Sequence, residues 1–264
     1  MEWWLAYLVL GLVVGFFAGL LGIGGGAIIV PLLVTLFGVE GLPADRIVHL
    51  ALGTSLASIV FTSMSTVRAH HRHGAVRWDI LRATLPWMVA GTLAGALFAE
   101  HLPSRYLAIF FTVFICYSAV HLWIDVKPKP TRQLPGKVGM AGAGFGLGAL
   151  SSLVGAGGGV ISVPLMSMYN IPMRNVIGTS AALTIPIAVA GSIGYIFTGF
   201  GKDHLPALSL GYVYLPALVG IVVGTFVTVP FGVRAAHRLP VRTLKRIFAI
   251  VLFLLAIKAF VGLF

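Results

Sequence analysis

GLLGIGGGAIIVP, residues 19–31, places five glycines within eight residues of an apolar stretch and closes that stretch with Pro31. Glycine and proline both disfavour a continuous helix. A second stretch, SLVGAGGGVISVP at residues 152–164, repeats the pattern. The two stretches therefore predict two apolar segments that are each interrupted near the middle and then resume.

The composition around these stretches is that of a membrane protein. The chain has 264 residues, of which 58% are hydrophobic and 9% charged, and its mean hydropathy is +1.01. Apolar runs at this density indicate an all-α polytopic membrane protein with about seven to nine crossings. The formal net charge of +11 favours cytoplasmic loops in contact with anionic lipid, and not nucleic acid, as the reason for the excess of basic residues.

The chain is an internal duplication. GIGGGAIIVPLL (22–33) aligns with GAGGGVISVPLM (155–166), and LGTSLA (52–57) aligns with IGTSAA (177–182) in the same order. The sequence thus predicts a first membrane repeat at 1–124, a linker at 125–137 and a second membrane repeat at 138–264. Transporters are often built from such repeats.

Charge predicts the orientation of the two repeats. If every apolar segment crosses once, the Lys and Arg residues divide ten to eight between the two sides. If segment 138–170 enters and leaves by the same face, they divide fourteen to four, as the positive-inside rule requires. We therefore expect inverted-topology repeats, each a glycine-broken re-entrant hairpin plus three transmembrane helices. The linker and loops 68–82 and 234–246 are then cytoplasmic, while segment 3–37 either re-enters or nearly spans.

The glycine breaks suggest an anion site. A helix that resumes near Ala27 or Val160 has unpaired N–H groups and the positive end of its dipole at that point. Two such ends near the membrane midplane bind an anion without a buried Lys or Arg. Close helix packing, which the Gly-x-x-x-Gly spacings elsewhere in the chain favour, is the competing explanation.

The candidate site combines these breaks with the duplicated Gly-Thr-Ser motif, whose hydroxyls either donate to an anion or bond to their own helix. His49 and Arg174 lie about one turn before each motif and are candidate vestibule residues, although an arginine there also suits lipid headgroups. The predicted substrate-binding residues are Gly24, Gly25, Gly26, Ala27, Thr54, Ser55, Gly157, Gly158, Gly159, Val160, Thr179 and Ser180.

Other classes of function find no support in the sequence. None of the seven acidic residues lies well inside an apolar segment, where ion-coupled carriers usually need one. There is no HExxH or GxSxG motif, and the single cysteine, Cys116, offers no disulfide or cysteine-based metal site. The GIGGGA stretch imitates a dinucleotide fingerprint but lacks a βαβ context. We expect no enzyme activity, catalytic residue, metal or cofactor.

The duplicated motif pair resembles the TauE/SafE sulfite exporter family. The resemblance rests on G-[IA]-G-G-G-x-[IV]-[IS]-V-P in both halves, each followed by Gly-Thr-Ser, and covers nearly the whole chain. It implies a multi-pass permease of the bacterial plasma membrane. Its implied substrates are small sulfur-containing anions such as sulfite or organosulfonates like sulfoacetate.

The resulting hypothesis is a secondary transporter, an exporter with alternating access, whose partners are the small anion and the lipid bilayer. An anion channel or uniporter, or an importer of other small oxyanions or carboxylates, is the alternative. A membrane binding protein without flux is a third possibility. The sequence gives neither the exact substrate nor the oligomeric state.

Overall fold

Helices dominate the computed structural model, which describes residues 3–21, 25–72, 74–124, 134–203, 205–238 and 241–261. The first five helices are α1 (Trp3–Leu21), α2 (Gly26–Glu40), α3 (Ile47–Arg72), α4 (Trp78–Glu100) and α5 (Ser104–Ile124). The other five are α6 (Lys137–Val154), α7 (Gly159–Ser167), α8 (Met173–Gly199), α9 (Leu215–Arg238) and α10 (Val241–Val261).

Seven of the helices in the described ranges are long and apolar enough to cross a membrane, judged by length and composition. They are α1, α3, α4, α5, α6, α8 and α9. Large apolar side chains also cover the outside of the bundle, as expected for a surface in contact with lipid. On α5 they form a stripe at helical spacing: Tyr106, Ile109, Val113, Tyr117 and Val120. The predicted helical, polytopic membrane fold is confirmed.

Both glycine-rich segments are interrupted, as the sequence predicts. The first divides into α1 and α2, and the second into α6 and α7. The 9 residues of α7 give a length of about 14 Å, roughly half of the hydrocarbon core of a bilayer. By itself, α7 cannot cross a membrane.

The main helix pairs join the first half of the chain to the second. The most extensive contacts are between α1 and α9, α4 and α6, α3 and α8, and α5 and α10. Glycines allow the closest approach: a Cβ on Gly11 would lie 2.5 Å from the carbonyl oxygen of Ile221, and one on Gly91 2.1 Å from that of Phe145. The packing role predicted for the Gly-x-x-x-Gly spacings is confirmed at these positions.

The contacts also give the relative direction of the paired helices. On α1 and α9, Gly220 faces Tyr7 and Gly232 faces Phe16, so the two helices run parallel. On α3 and α8, Gly53 faces Tyr195 whereas Leu56 faces Gly191, so these two helices run antiparallel. The duplicated Gly-Thr-Ser motif is carried by α3 and α8, the antiparallel pair.

A short β-hairpin precedes α9 and departs from the all-α prediction. Strand β1 (Ser209–Leu210) pairs antiparallel with β2 (Val213–Tyr214), and Ser209 is opposite Tyr214. The turn contains Gly211 with a φ of 55°, a conformation that glycine adopts without strain. After the hairpin, α9 begins at Leu215.

Candidate functional site

Each of the two helix breaks forms a buried tip, and a glycine with a positive φ lies at each one. At the first tip α1 ends at Leu21 and Gly25, with a φ of 77°, precedes α2. At the second tip α6 ends at Val154, and Gly155 follows with a φ of 61°. We call Gly25–Ala27 the first tip and Gly155–Val160 the second tip. The predicted site residue Gly24, together with Gly22 of the motif, lies outside the described residues.

The two tips touch each other. A Cβ on Gly26 would lie 2.6 Å from the carbonyl oxygen of Gly155 and 2.7 Å from the Cα of Ala156. The same atom would lie 2.6 Å from Cδ1 of Ile59. Only a residue without a side chain permits this approach.

The tips meet at the mid-length of the two central helices. Positions on the second tip face Ile59 of α3 and Thr184 of α8, which a Cβ on Gly157 would approach to 3.2 and 2.4 Å. Both residues are near the middle of their helices and buried. The breaks are therefore far from the helix ends, as a site at the centre of a membrane bundle requires.

Each tip presents the N-terminus of a helix. The first bonds of α2 are those that the Ile28 and Ile29 amides donate to the Gly25 carbonyl. In α7 the Ile161 and Ser162 amides donate to the Gly158 carbonyl, at 3.2 and 2.7 Å. The amides of Gly26, Ala27, Gly159 and Val160 come earlier and have no carbonyl of the same helix to bond to. These amides, with the positive ends of two helix dipoles, favour an anion.

Three serine hydroxyls around the second tip have no hydrogen-bond partner in the described structure. They belong to Ser151, Ser152 and Ser162, each fully buried. The sequence prediction missed them. The duplication does not mark them, because Ala18, Gly19 and Ile29 occupy the aligned positions of the first repeat.

The two threonines of the Gly-Thr-Ser motifs bond to the other half of the chain. Thr54 Oγ1 accepts the Tyr214 amide at 3.0 Å, and Thr179 Oγ1 accepts the Arg77 amide at 2.9 Å. Arg77 is the residue that caps the start of α4, and Tyr214 immediately precedes α9. Each threonine thus fixes the loop that leads into a helix of the other repeat; that they also bind substrate stays a prediction.

The two serines of these motifs both contact the segment that contains α6, the second tip and α7. Ser55 Oγ donates to the Gly155 carbonyl at 2.8 Å, and this bond ties α3 to the second tip. Ser180 Oγ is 3.8 Å from the Met166 sulfur on α7. Both serines are buried, and substrate binding by their hydroxyls stays a prediction.

The two candidate vestibule residues are in different environments. His49 is buried, and its Nε2 and Nδ1 lie 2.9 Å from the Ala99 carbonyl and 3.3 Å from Ser104 Oγ. Arg174 is exposed at the start of α8. The structure therefore presents Arg174, but not the ring of His49, to the surroundings of the bundle.

Next to His49 a group of charged and aromatic residues joins the two halves; we call it the Glu100 cluster. Glu100 Oε1 is 2.7 Å from Lys202 Nζ and 3.4 Å from an Arg46 nitrogen. The same arginine donates to the Tyr212 hydroxyl at 2.8 Å. Arg46 and Glu100 come from the first half, and Lys202 and Tyr212 from the second.

A second carboxylate, that of Glu40, is bonded by two tyrosines. Glu40 accepts hydrogen bonds from the hydroxyls of Tyr7 and, at 3.0 Å, Tyr214. Burial, followed by the interaction with Glu40, raises the pKa of Tyr214 to about 12. Burial and Glu100 likewise raise the pKa of Tyr212 above its usual range. Both phenols therefore remain protonated at physiological pH.

Within the described ranges no group of three or more His, Cys, Asp or Glu side chains is arranged to hold a metal ion. The side chains that face the tips are apolar or carry hydroxyls. The chemistry that this centre offers is hydrogen-bond donation from amides and hydroxyls in an apolar surrounding.

The comparisons with known proteins agree with a membrane transporter. The family model described as sulfite exporter TauE/SafE matches residues 7–259. A Haemophilus influenzae protein named probable membrane transporter protein is 36% identical over 96% of both chains. The Bacillus subtilis probable membrane transporter protein YdhB is 30% identical over 91% of this chain and 92% of its own length. No solved structure matches this chain significantly.

Proposed function

The chain belongs to the sulfite exporter TauE/SafE family, and we propose that it is a secondary transporter that exports small sulfur-containing anions. Sulfite and organosulfonates such as sulfoacetate are the proposed substrates, and the bacterial plasma membrane is the proposed location. The observation that carries the proposal is the contact of the two tips at the mid-length of α3 and α8. Broken backbone at this depth is tolerated where it lines a substrate site.

We propose that the two halves are inverted repeats. The contact between α1 and α9 corresponds to that between α6 and α4, and the contact between α3 and α9 to that between α8 and α4. The antiparallel packing of α3 and α8, which carry the same motif, supports the inversion. Repeats related in this way place their hairpins at the same depth from opposite faces.

The anion is held between the tips. The amides at the starts of α2 and α7 donate to it, and the predicted residues Gly25, Gly26, Gly158 and Gly159 place no side chain between these amides and its oxygens. Thr54 and Thr179 hold the loops before α9 and α4 in place around this centre. No charged side chain is needed in the site, so the anion is bound weakly enough to be released.

Export follows from the sign of the membrane potential. An inside-negative potential drives an anion outward with about 2.3 kcal/mol per charge per 100 mV. The cytoplasmic loops carry most of the Lys and Arg residues under the predicted topology and raise the local anion concentration. Alternating access then requires the Glu100 cluster to separate, because it joins the halves at the end nearest the β-hairpin.

The proposal is tested by counterflow in proteoliposomes. Purified protein is reconstituted into vesicles loaded with unlabelled sulfite, and the uptake of labelled sulfite is followed with and without an imposed potential. We expect uptake that saturates with concentration, responds to voltage and is inhibited by a small organosulfonate. Vesicles with the Gly158→Leu variant serve as the control, because this side chain fills the second tip.

The outcomes separate the proposal from its alternatives. Conductance that does not saturate indicates an anion channel, and binding without flux indicates a membrane binding protein. Uptake of a small carboxylate in place of sulfite or a sulfonate overturns the substrate class. Normal sulfite flux in the Gly158→Leu variant overturns the location of the site.

A further inference from the structure

The unpartnered serines at the second tip need an explanation beyond packing. Ser151, Ser152 and Ser162 are each fully buried, and none of their hydroxyls has a hydrogen-bond partner within the described residues. Burying a hydroxyl without a partner costs about 1–3 kcal/mol. Those unpartnered hydroxyls that lie at the turn itself are therefore expected to have a ligand.

Two of the three hydroxyls flank the second tip. Ser151 is in the last turn of α6, and its Oγ is 4.0 Å from where a Cβ on Gly158 would stand. Ser162 is in the first turn of α7, where its amide donates to the Gly158 carbonyl at 2.7 Å. The Ser152 Cβ, by contrast, faces Gly95 of α4, 3.1 Å from its would-be Cβ.

The first tip has no equivalent hydroxyls. Ala18 and Ile29 occupy the positions aligned with Ser151 and Ser162. The two tips therefore share backbone amides, but only the second adds side-chain donors. A ligand between them is bound mainly from the side of α6 and α7.

Among the residues that the structure describes, no charged side chain faces the second tip. The side chains that face it are those of Leu52, Val30, Ile59, Thr184 and Ile187. The Tyr195 hydroxyl donates to the Ser152 carbonyl at 3.1 Å. The other ionisable side chains described on the helices packed around it are Glu40 on α2, His49, Arg68 and His71 on α3, Asp79, Arg82 and Glu100 on α4, Lys137 on α6 and Arg174 on α8.

Charge therefore limits what this site accepts. The Born cost of moving an ion into an apolar medium rises with the square of its charge, and no cation at the tip offsets it. A serine hydroxyl, unlike Lys or Arg, both donates and accepts hydrogen bonds. A singly charged, partly protonated oxyanion thus suits the site better than a dianion.

We infer that the second tip selects the monoanionic form of its substrate, with the hydroxyls of Ser151 and Ser162 and the first amides of α7 as donors. This inference rests on the proposed function and narrows it to hydrogensulfite and singly charged sulfonates. Each serine donates one hydrogen bond to a substrate oxygen, and Ser162 also accepts a hydrogen bond from a protonated oxyanion.

The test compares sulfite with methanesulfonate, which stays a monoanion throughout the neutral range. Exchange of each labelled anion is measured in proteoliposomes below and above the second dissociation of sulfurous acid. We expect sulfite exchange to fall with rising pH in proportion to the hydrogensulfite remaining, while methanesulfonate exchange stays constant. Sulfite exchange that rises with pH overturns the selection of the monoanion.

Serine variants test the donors. Ser151→Ala and Ser162→Ala are each expected to raise the half-saturating methanesulfonate concentration about 10-fold or more, as expected for a lost hydrogen bond to a charged group. Ser152→Ala is the matched control and should leave it unchanged. Because each change removes an unpartnered hydroxyl, the variants should unfold at no lower temperature than the wild type without an anion.

The thermal shift distinguishes a failure of the proposed serine donors from a failure of the proposed transport function. Methanesulfonate is expected to raise the unfolding temperature of the wild type but not of Ser151→Ala. If the wild type transports both anions and the Ser151→Ala and Ser162→Ala variants keep its half-saturation, the serine donors are wrong and the transporter stands. If the wild type transports neither anion but shows a thermal shift that Ser151→Ala abolishes, the site stands and the transporter does not.

Discussion

A side chain at residue 26 would push the first tip away from the second. A Cβ on Gly26 would be closer than a van der Waals contact to backbone atoms of Gly155 and Ala156. Backbone atoms cannot turn aside as a flexible side chain can. The contact between the two tips therefore depends on the absence of a side chain at Gly26.

Replacing Gly26 with alanine is expected to lower both stability and flux. The added methyl forces the tips apart and costs about 1–3 kcal/mol, as overpacking of a dense core does. The matched change is Gly38→Ala on the same helix, where a Cβ meets nothing within 4 Å. This control should stabilise α2 by about 0.5–1 kcal/mol, because alanine is the better helix former.

Thermal unfolding in detergent and sulfite counterflow measure the two effects. Gly26→Ala should unfold at a lower temperature than the wild type and transport more slowly, while Gly38→Ala should retain its flux. Equal behaviour of the two variants would mean that the tips do not touch.

The glycines, but not the serines, could be predicted at this scale. Gly25, Gly26, Gly157 and Gly158 stand out because a duplicated triplet exceeds what helix packing needs. The burial of a serine cannot be known until its helix has been placed, and serine is common in loops and helices alike. Ser151 and Ser162 become candidate ligand-binding residues only because the structure shows that their hydroxyls have no hydrogen-bond partner.

At the scale of helices, the Gly-Thr-Ser motif determines where α4 and α9 begin. Gly53 and Gly178 let the loops before these helices approach closely, and Thr54 and Thr179 accept the amides of Tyr214 and Arg77. An amide at a buried helix start needs such an acceptor.

Changing Thr54 or Thr179 to valine is expected to destabilise the protein by about 1–3 kcal/mol, because the shape is kept and a buried amide loses its acceptor. Thr54→Ser keeps a hydroxyl acceptor and should therefore retain most of the stability that the valine variant loses. Thr198→Val is the control, since that hydroxyl bonds only to the Gly194 carbonyl of its own helix. Unfolding temperatures that do not distinguish the Thr54 and Thr198 valine variants would contradict the capping role.

The helices were largely predictable from the sequence, and the β-hairpin was not. Long apolar runs predict helical membrane segments and the glycines predict their two interruptions, but the exact helix bounds are not predicted. Strands of two residues are too short for an alternating pattern. The hairpin is held instead by distant contacts, such as the burial of Tyr212 against Gly53 and the bond between Tyr214 and Thr54.

For the whole molecule, the interleaving of the halves was not visible in the sequence. The duplication predicts two similar units, but not that α1 packs on α9 and α4 on α6. These pairs depend on glycines that let helices distant in the chain approach closely, such as Gly15 of α1, which faces Thr225 of α9. The inverted orientation itself stays a prediction.

Cysteine labelling tests this orientation. In a Cys116→Ser background, single cysteines at positions 74, 136 and 234 should react with an impermeant maleimide only from the cytoplasmic side. A cysteine at position 201 should react only from outside. Positions 74, 136, 201 and 234 are all exposed in the structure.

Position 234 decides between the two topologies. If the segment of α6 and α7 crosses the membrane fully, the loop after α9 is external and position 234 reacts from outside. If it re-enters, as the length of α7 favours, the reaction is cytoplasmic. Everted vesicles provide the reversed pattern as a control.

The two threonine caps bear on how such a chain arose. A peptide of the first five helices alone would keep Thr54 without the loop that it caps, and the Arg77 amide without its acceptor. A second, oppositely inserted copy would supply both. An ancestor of one repeat length would thus have been stable as an antiparallel dimer, and fusion of two genes would have preserved caps already exchanged between subunits.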